Sequence, residues 1–272
     1  MRAGLIQLCS GPDPKANLVA TQALLRQAAA GGAGFVLTPE MTNIVTADRA
    51  HLGANLHHEA DDPTLAALTD EARALGIWLL IGSLALKTDD PDGRFANRSF
   101  LVSPTGEIVA RYDKIHMFDA DVSEAERHRE SAAFRPGTRA VLADTAIGGI
   151  GLTICYDLRF AGLFRRLALA GAEIITVPAA FTRETGKAHW QSLLRARAIE
   201  TGAFVFAPAQ TGRNAPGRTT HGHALAISPW GEVLADAGPD PGVTLVDFDL
   251  AAVDDARRRI PSLDHDRDFQ GP

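Results

Sequence analysis

A cysteine lies where a buried strand is expected to end and a helix to begin. Cys155 follows the apolar, β-branched run 147–154, and a polar break at Tyr156 and Asp157 precedes apolar residues at helical spacing. A thiol at the start of a helix is close to the positive end of the helix dipole, which favours the thiolate. Because the thiolate is the nucleophilic form, this position predicts covalent catalysis. The alternative is a small core residue, as most lone cysteines among apolar residues are.

Two further polar side chains follow predicted strands. Glu40 comes directly after an apolar strand at 35–37, and Lys114 comes directly after the second strand of a predicted hairpin. Ligands in layered α/β folds bind where strands end, so we expect these side chains to meet Cys155. A carboxylate can take the thiol proton, while an ammonium ion and the backbone N–H of Tyr156 can stabilise a carbonyl oxygen that gains negative charge. Together they predict acyl transfer. Taken singly, Glu40 reads as a solvated loop carboxylate, and Lys114 could be one surface lysine among many.

Composition indicates an ordinary globular protein. The chain has 272 residues, of which 46% are hydrophobic and 22% are charged, and its formal net charge is −6. An acidic chain whose longest basic run is Arg257-Arg258-Arg259 is not expected to bind nucleic acid. Cys9 and Cys155 are the only cysteines, which is typical of a reducing compartment. We find no signal peptide or membrane-length apolar run, and therefore expect a cytoplasmic protein without membrane contacts.

Hydrophobic periodicity predicts strands and helices that alternate within a single domain, residues 1–272. Interspersed hairpins indicate mixed sheets covered by helices. Leu18 and Leu24 in the first helix, and Ile199 in the last long one, are expected to face the core. Residues 113–140 read as a long functional loop. The predicted strands are 3–8, 35–37, 77–86, 96–102, 107–112, 149–154, 173–178, 203–208, 222–228, 232–236 and 243–248; the predicted helices are 17–30, 63–75, 162–170 and 186–200, with a short helix after residue 248.

Three segments of the chain resemble the signature segments of the nitrilase superfamily, the carbon–nitrogen hydrolases, and they occur in the same order. They are residues 37–40 (Leu-Thr-Pro-Glu), residues 112–119 (Tyr-Asp-Lys-Ile-His-Met-Phe-Asp) and residues 151–160 (Gly-Leu-Thr-Ile-Cys-Tyr-Asp-Leu-Arg-Phe). The resemblance extends over nearly the whole chain. It implies an α/β fold, a four-layer α-β-β-α sandwich with two mixed sheets, and a homodimer or a larger homo-oligomer.

The same resemblance implies roles for individual residues. Glu40 would be the general base, Lys114 the stabiliser of the oxyanion, and Cys155 the nucleophile that forms a thioester acyl-enzyme. A second glutamate is expected in the loop after the lysine, and Glu130 is our candidate. The alternative for Glu130 is a solvated charge within a run of charged residues. No metal and no cofactor are expected, since the chain has neither an H-E-x-x-H segment nor paired C-x-x-C motifs.

Within the superfamily, residues 181–200, 221–223 and 229–232 resemble the Nit branch, whose members hydrolyse amides of small 2-oxo acids. One group of these enzymes, the ω-amidases, acts on 2-oxoglutaramate, and another acts on deaminated glutathione. Residues 195–200 and 209–213 favour the second group. The first group is our alternative, together with the hydrolysis of a carbamoyl group or a nitrile by the same three residues. Transfer of the acyl group to an amine, or a non-catalytic binding role on the same fold, would be a different function for this chain.

The substrate of such an enzyme carries a carboxylate, which a guanidinium group binds well. Arg159 lies four residues beyond Cys155 and is our candidate for this contact; the alternative is an ion pair with Asp157 or Glu173. In the resembling enzymes the positions of Arg159, Phe181 and Thr185 contribute to the substrate pocket. Phe181 could instead be a core residue, and Thr185 could instead be a helix cap. We predict a substrate pocket lined by Tyr156, Arg159, Phe181 and Thr185.

Overall fold

The computed structural model describes residues 1–123 and 126–271. The helices are α1 (Pro14–Ala30), α2 (Arg49–Asn55), α3 (Pro63–Leu75), α4 (Ala161–Leu169), α5 (Arg183–Thr201) and α6 (Ala251–Arg259). The strands are β1 (Arg2–Gln7), β2 (Phe35–Leu37), β3 (Trp78–Leu86), β4 (Ala96–Val102), β5 (Ile108–Asp113), β6 (Asp119–Asp121), β7 (Arg127–Arg129), β8 (Val141–Thr145), β9 (Gly148–Leu152), β10 (Ile174–Thr176), β11 (Phe204–Ala207), β12 (Thr211–Ala215), β13 (Arg218–His221), β14 (Leu225–Ile227), β15 (Val233–Asp236) and β16 (Gly242–Asp247).

Most strands belong to two six-stranded sheets. The first sheet has the order β16-β1-β2-β3-β4-β5, and the second has the order β15-β14-β11-β10-β9-β8. In each sheet three central strands are parallel, namely β1, β2 and β3 in the first and β9, β10 and β11 in the second. The flanking strands are antiparallel, so both sheets are mixed, as the interspersed hairpins predicted.

Strand alternation gives the first sheet two apolar faces. Leu5, Leu37 and Leu80 lie side by side in neighbouring strands and belong to the core between the two sheets. The residues next to these leucines along each strand, such as Ile6 and Val36, point to the other face of the sheet, where α1 and α3 cover them. Because both faces are buried, these strands are continuously apolar rather than alternating.

The outer face of the second sheet is covered by α4 and α5. Phe164 and Leu167 of α4, and Trp190 and Leu194 of α5, are buried in the same core cluster as the strands beneath them. The layers therefore run helix, sheet, sheet, helix, which confirms the predicted four-layer α-β-β-α sandwich. Among the described residues, no helix combines the length and the apolar character needed to cross a membrane.

The orientation of two helices differs from the prediction. Asp13 caps α1 by accepting hydrogen bonds from the first-turn N–H groups, so the helix begins at Pro14 rather than at residue 17. Its buried face contains Asn17, Thr21, Leu25 and Ala28, which leaves Leu18 and Leu24 only partly buried. Ile199 of α5 is 54% exposed. Apolar spacing alone did not indicate that polar residues of α1 face the interior and that an apolar residue of α5 faces outward.

Several short elements escaped the sequence analysis. The predicted loop at 113–140 contains a hairpin of β6 and β7 and a single 3₁₀ turn at Glu130–Ala132. Helix α2, strand β8 and the hairpin of β12 and β13 were also missed. Strands β6 and β7 have three residues each and carry charged side chains, so they have no hydrophobic alternation to detect.

Gly82 of β3 lies where the ends of strands from both sheets come together. A Cβ atom at this position would be 2.0 Å from the carbonyl oxygen of Thr38, 2.6 Å from that of Pro39 and 2.5 Å from the Cβ of Pro178. Two of these neighbours are backbone atoms and cannot rotate away. Only glycine therefore allows β3 to approach the turn that carries Glu40.

We expect Gly82→Ala to lower the free energy of unfolding by about 3 kcal/mol, because the added methyl group overpacks a rigid junction. Gly34→Ala is the matched control, since a Cβ atom there meets nothing within 4 Å and its φ is not in the left-handed region. Urea unfolding of the two variants and the parent protein measures the difference. Equal stability of both variants would contradict the close approach at Gly82.

Candidate active site

Glu40 projects from a tight turn that follows β2. The hydroxyl of Thr38 accepts a hydrogen bond from Gly82 N at 3.0 Å and pairs with the hydroxyl of Thr42 at 2.8 Å. Met41 has a positive φ of 55° and donates its N–H to the hydroxyl of Ser83 at 2.8 Å. A positive φ in a residue with a side chain is unfavourable and persists only where its surroundings impose it. The backbone around Glu40 is thus held in one conformation.

The ammonium group of Lys114 lies between two carboxylates. Its Nζ atom is 2.8 Å from Glu40 Oε1 and 2.9 Å and 2.8 Å from the two oxygens of Glu130. Lys114 and Glu40 are almost completely buried, at 2% and 4% exposure. The Glu130 carboxylate also accepts a hydrogen bond from Phe118 N at 2.7 Å, which ties it to the loop before β6.

Asn97 of β4 completes this charge cluster. Its amide nitrogen donates to Glu40 Oε1 at 2.9 Å and to Glu130 Oε1 at 3.2 Å. The remaining oxygen of Glu40 accepts a hydrogen bond from Ala180 N at 2.9 Å. Neutral donors therefore satisfy carboxylate oxygens that the single ammonium ion cannot satisfy alone.

Cys155 is the first residue of a 3₁₀ turn, Cys155–Arg159. Two residues separate this turn from the end of β9 in the second sheet. The φ of Cys155 is 47°, and its N–H donates to the carbonyl of Pro178 at 2.9 Å. Within the described residues, the N–H of Tyr156 donates to no protein acceptor. The α-helix behind this turn begins only at Ala161. The 3₁₀ turn therefore separates the thiol from the α-helix that was expected to begin beside it.

The protonation of the cluster follows from its buried charges. Burial raises the pKa of the Glu40 carboxyl, but the Lys114 ammonium outweighs burial and the pKa is lowered below its ordinary value. Burial lowers the pKa of Lys114, but the carboxylates of Glu130 and Glu40 raise it well above its ordinary value. The site thus holds a carboxylate at Glu40 and an ammonium ion at Lys114.

The expectation of a thiolate at Cys155 was wrong. Burial raises the pKa of the Cys155 thiol well above its ordinary value, and the Glu40 carboxylate raises it further. The Lys114 ammonium lowers it only in part. A thiolate would add a negative charge to a buried group that already contains two carboxylates and one cation. The thiol is therefore protonated until a base takes its proton.

A small pocket opens beside the sulfur atom. All four residues predicted to bind substrate contribute to it, together with Phe118, which the sequence analysis did not single out. Aromatic rings form one wall, because Phe118 lies 5.0 Å from Tyr156 between ring centroids. The lining residues are Phe118, Cys155, Tyr156, Arg159, Ala180, Phe181, Thr182 and Thr185.

Arg159 points into this pocket without a carboxylate partner. Its guanidinium lies 5.7 Å from the ring centre of Tyr156 and 5.6 Å from that of Phe181, in cation–π contact with both. Its Nη2 atom is 3.3 Å from Nδ1 of His189. In the described ranges no ion pair forms between Arg159 and Asp157 or Glu173, so a structural ion pair does not explain this residue. An unneutralised guanidinium beside the thiol can receive an anionic group.

Phe181 and Thr185 border the pocket near the start of α5. Thr182, not Thr185, caps this helix, and Thr185 N donates to the Thr182 hydroxyl at 3.4 Å. Thr185 lies in the first turn of the helix and faces the pocket. Phe181 is 6% exposed and belongs to the central core cluster, so it both packs in the core and lines the pocket.

The sequence analysis missed Asn97, Phe118 and the N–H of Ala180. Asn97 lies in the polar first half of β4, beside Arg98 and Ser99, so its residue type did not distinguish it; Phe118 lies inside the segment that carries Lys114. The N–H of Ala180 left no trace in the sequence, because a backbone donor has no residue signature. Within the described part of the chain, no group of three or more His, Cys, Asp or Glu side chains is arranged to hold a metal ion.

Comparison with known proteins agrees with this arrangement. A family model described as carbon-nitrogen hydrolase matches residues 2–258. The chain belongs to the carbon–nitrogen hydrolase family. A Yersinia enterocolitica protein named deaminated glutathione amidase is 39% identical over 264 residues, which cover 97% of this chain and 92% of that protein. The chain is therefore an amidase-type hydrolase.

Solved structures of other proteins share the fold. The C. elegans NitFhit protein superposes with a TM-score of 0.91 at 32% identity, over 98% of this chain and 65% of that protein. This chain thus spans about two thirds of NitFhit. A glutamate variant of an amidase from Nesterenkonia sp. AN1, described with acrylamide added to its active-site cysteine, has a TM-score of 0.79 at 27% identity over 96% of this chain and 98% of that one.

For this carbon–nitrogen hydrolase we expect no thiolate from Cys155 to be detectable up to about pH 9, because burial and the Glu40 carboxylate both oppose ionisation. The measurement is the ultraviolet thiolate absorbance of the parent protein minus that of Cys155→Ala, which removes the contribution of Cys9. In Glu40→Gln the thiolate step moves to lower pH, since one negative charge is lost while Lys114 remains. A thiolate step near neutral pH in the parent protein would contradict the raised pKa.

Proposed function

We propose that this hydrolase cleaves the amide bond of a small 2-oxo acid amide through a thioester on Cys155, with deaminated glutathione as the preferred substrate. The observation that carries the proposal is the Glu40–Lys114–Glu130 charge cluster beside a protonated thiol and a pocket with an unneutralised guanidinium. The relatives named deaminated glutathione amidase support the choice of substrate. The acting unit is a single domain over residues 1–272 in the cytoplasm.

In the first half-reaction, the Glu40 carboxylate takes the thiol proton while the sulfur of Cys155 attacks the amide carbonyl carbon. The carbonyl oxygen gains negative charge, which the free N–H of Tyr156 and the ammonium of Lys114 stabilise. Glu40 then returns the proton to the nitrogen as the C–N bond breaks. The amine leaves, and the acyl group stays on the sulfur as a thioester.

In the second half-reaction, water takes the place of the amine. Glu40, again a carboxylate, removes a proton from the water as its oxygen attacks the thioester carbonyl. The same donors stabilise the second oxyanion, and the C–S bond breaks. The carboxylic acid leaves, and the proton on Glu40 returns to the sulfur. Glu130 keeps the ammonium of Lys114 in place throughout, through its two oxygens.

The pocket beside the sulfur would hold the acyl half of the substrate. It is small and lined by aromatic rings, threonines and one guanidinium, which suits a short 2-oxo acyl group with a terminal carboxylate. The carboxylate remote from the amide would pair with the guanidinium of Arg159, and a threonine hydroxyl at the start of α5 would donate to the oxo group. The amine part would extend out of the pocket toward solvent. The same acyl group is present in 2-oxoglutaramate, which makes ω-amidase activity the second candidate.

We expect Cys155→Ala to lower kcat by about four orders of magnitude or more, the scale found when a covalent nucleophile is removed. Cys9→Ala is the control and should keep full activity, because Cys9 lies outside the pocket. Amine or ammonia release is measured with deaminated glutathione, 2-oxoglutaramate, a carbamoyl amino acid and an aliphatic nitrile. We expect kcat/KM to fall in that order. A preference for the nitrile, or an active Cys155→Ala protein, would contradict the proposal.

We further propose that the protein forms a homodimer through the helix layer of the second sheet. Four large apolar side chains between 43% and 59% exposed line one groove there: Leu169, Ile199, Trp230 and Ile260. Contiguous exposed apolar surface of this kind is typical of interfaces between proteins. A second copy related by a two-fold axis presents the same groove and covers it without a further partner.

Ile199→Asp is expected to convert the dimer into a monomer at micromolar concentration, because it buries a charge in the interface without a partner. Val19→Asp is the matched control: Val19 is 68% exposed on α1, on the opposite helix layer, and its substitution should leave the dimer intact. Light scattering gives the mass of each variant. A monomeric parent protein, or dissociation by both variants alike, would refute this interface.

A further inference from the structure

Asp157 is a fully buried carboxylate that the proposed reaction steps do not use. It has no exposed surface. Its Oδ2 atom accepts hydrogen bonds from the hydroxyl of Tyr112 at 2.7 Å and from Ile154 N at 2.8 Å. Its Oδ1 atom accepts a hydrogen bond from His116 N at 3.0 Å and lies 2.7 Å from Nδ1 of the same residue. These four contacts satisfy both oxygens of a carboxylate that has no access to water, and each of them comes from a residue close to the reacting groups.

The partners of this carboxylate flank the reacting groups. Tyr112 lies two residues before Lys114, and His116 lies two residues after it. Ile154 directly precedes Cys155. One side chain therefore holds both sides of the loop that carries the ammonium group and the start of the turn that carries the thiol.

Each contact is itself held in place. The His116 ring stacks on Phe160 with 3.5 Å between centroids and an interplanar angle of 8°. The hydroxyl of Tyr112 also accepts a hydrogen bond from Ile115 N at 3.3 Å. Burial and the charge of Asp157 raise the pKa of Tyr112 far above its ordinary value, so the phenol remains a donor.

The turn at the nucleophile needs such support. The positive φ of Cys155 is unfavourable and persists only where neighbouring contacts impose it. Two hydrogen bonds join Asp157 to Ile154. The Asp157 carboxylate accepts from Ile154 N, and the Asp157 N–H donates to the Ile154 carbonyl at 3.0 Å. These two hydrogen bonds enclose Cys155 and Tyr156 and so set the direction of the Tyr156 N–H.

We propose that Asp157 is a positioning residue, which holds the Lys114 ammonium and the Tyr156 N–H so that both stabilise the same carbonyl oxygen. The inference rests on the proposed amidase function. In this role Asp157 touches no substrate. It acts through the loop that carries Lys114 and the turn that carries Cys155. Loss of the carboxylate lets the two segments move apart, and a shift of this kind weakens transition-state binding more than substrate binding.

The first test compares Asp157→Asn, Tyr112→Phe and the double variant. We expect kcat to fall about 100-fold in Asp157→Asn, as for a displacement of catalytic groups by about 1 Å, and KM to change little, because Arg159 is untouched. Tyr112→Phe should lose less, and its effect should shrink in the double variant, since both act on one set of contacts. Glu71→Gln removes another buried carboxylate, bound to Arg26 between α1 and α3, and should lower stability but not kcat.

The second test needs no amide substrate. Mass spectrometry follows the alkylation of Cys155 and Cys9 by iodoacetamide, and Asp157→Asn should speed that of Cys155 about tenfold, because the thiol moves away from the Glu40 carboxylate that raises its pKa, while Cys9 is unchanged. Wild-type kcat and Cys155 alkylation in this variant would overturn the positioning role, as would equal losses in Glu71→Gln. If the parent protein hydrolyses no amide, the proposed function is wrong. The rate of Cys155 alkylation in Asp157→Asn still tests the positioning role in that case. Tyr112→Phe, whose ring keeps the packing, gives the answer where Asp157→Asn does not fold.

Discussion

The ammonium of Lys114, enclosed by the carboxylates of Glu40 and Glu130, is the interaction on which the site depends. Removing three charges from water is costly, and hydrogen bonds of 2.8–2.9 Å recover that cost only with near-ideal geometry. Asn97 and Phe118 donate further hydrogen bonds to the oxygens that the ammonium contacts, and Ala180 N satisfies the one oxygen of Glu40 that it does not. The cluster carries one excess negative charge, and this excess determines the protonation of the thiol.

Such geometry demands a rigid frame, and the two-sheet sandwich supplies it. Glu40 and Lys114 follow strands of the first sheet, whereas Cys155 follows a strand of the second. The N–H of Ala180, which belongs to the second sheet's side, donates across to Glu40. The site therefore forms only when the sheets pack face to face in the correct register. The apolar core between them positions the catalytic groups as directly as any hydrogen bond does.

Sequence alone predicted what depends on local pattern. Helix α3 was placed to the residue, because Pro63 opens it, an aspartate caps it and Gly76 ends it in the left-handed conformation. The four-layer arrangement and the amidase class were foreseen from the resemblance to the nitrilase superfamily, not from local pattern. The protonation state of Cys155 was not, because it depends on a carboxylate 115 positions away in sequence and on burial that a linear pattern does not encode. Short polar strands such as β6 left no periodicity to detect.

The pKa directions also restrict when the thiol reacts. In the free protein, transfer of the proton from Cys155 to Glu40 is unfavourable, since the pKa of the donor is raised and that of the acceptor is lowered. The transfer leaves the cluster's total charge unchanged, because the negative charge moves from the carboxylate to sulfur and then to the carbonyl oxygen. The N–H of Tyr156 can stabilise that charge only after it has reached an oxygen. In the proposed mechanism, proton transfer is thus coupled to attack on a bound carbonyl, and the thiol is kept from reacting with other electrophiles until substrate fills the pocket.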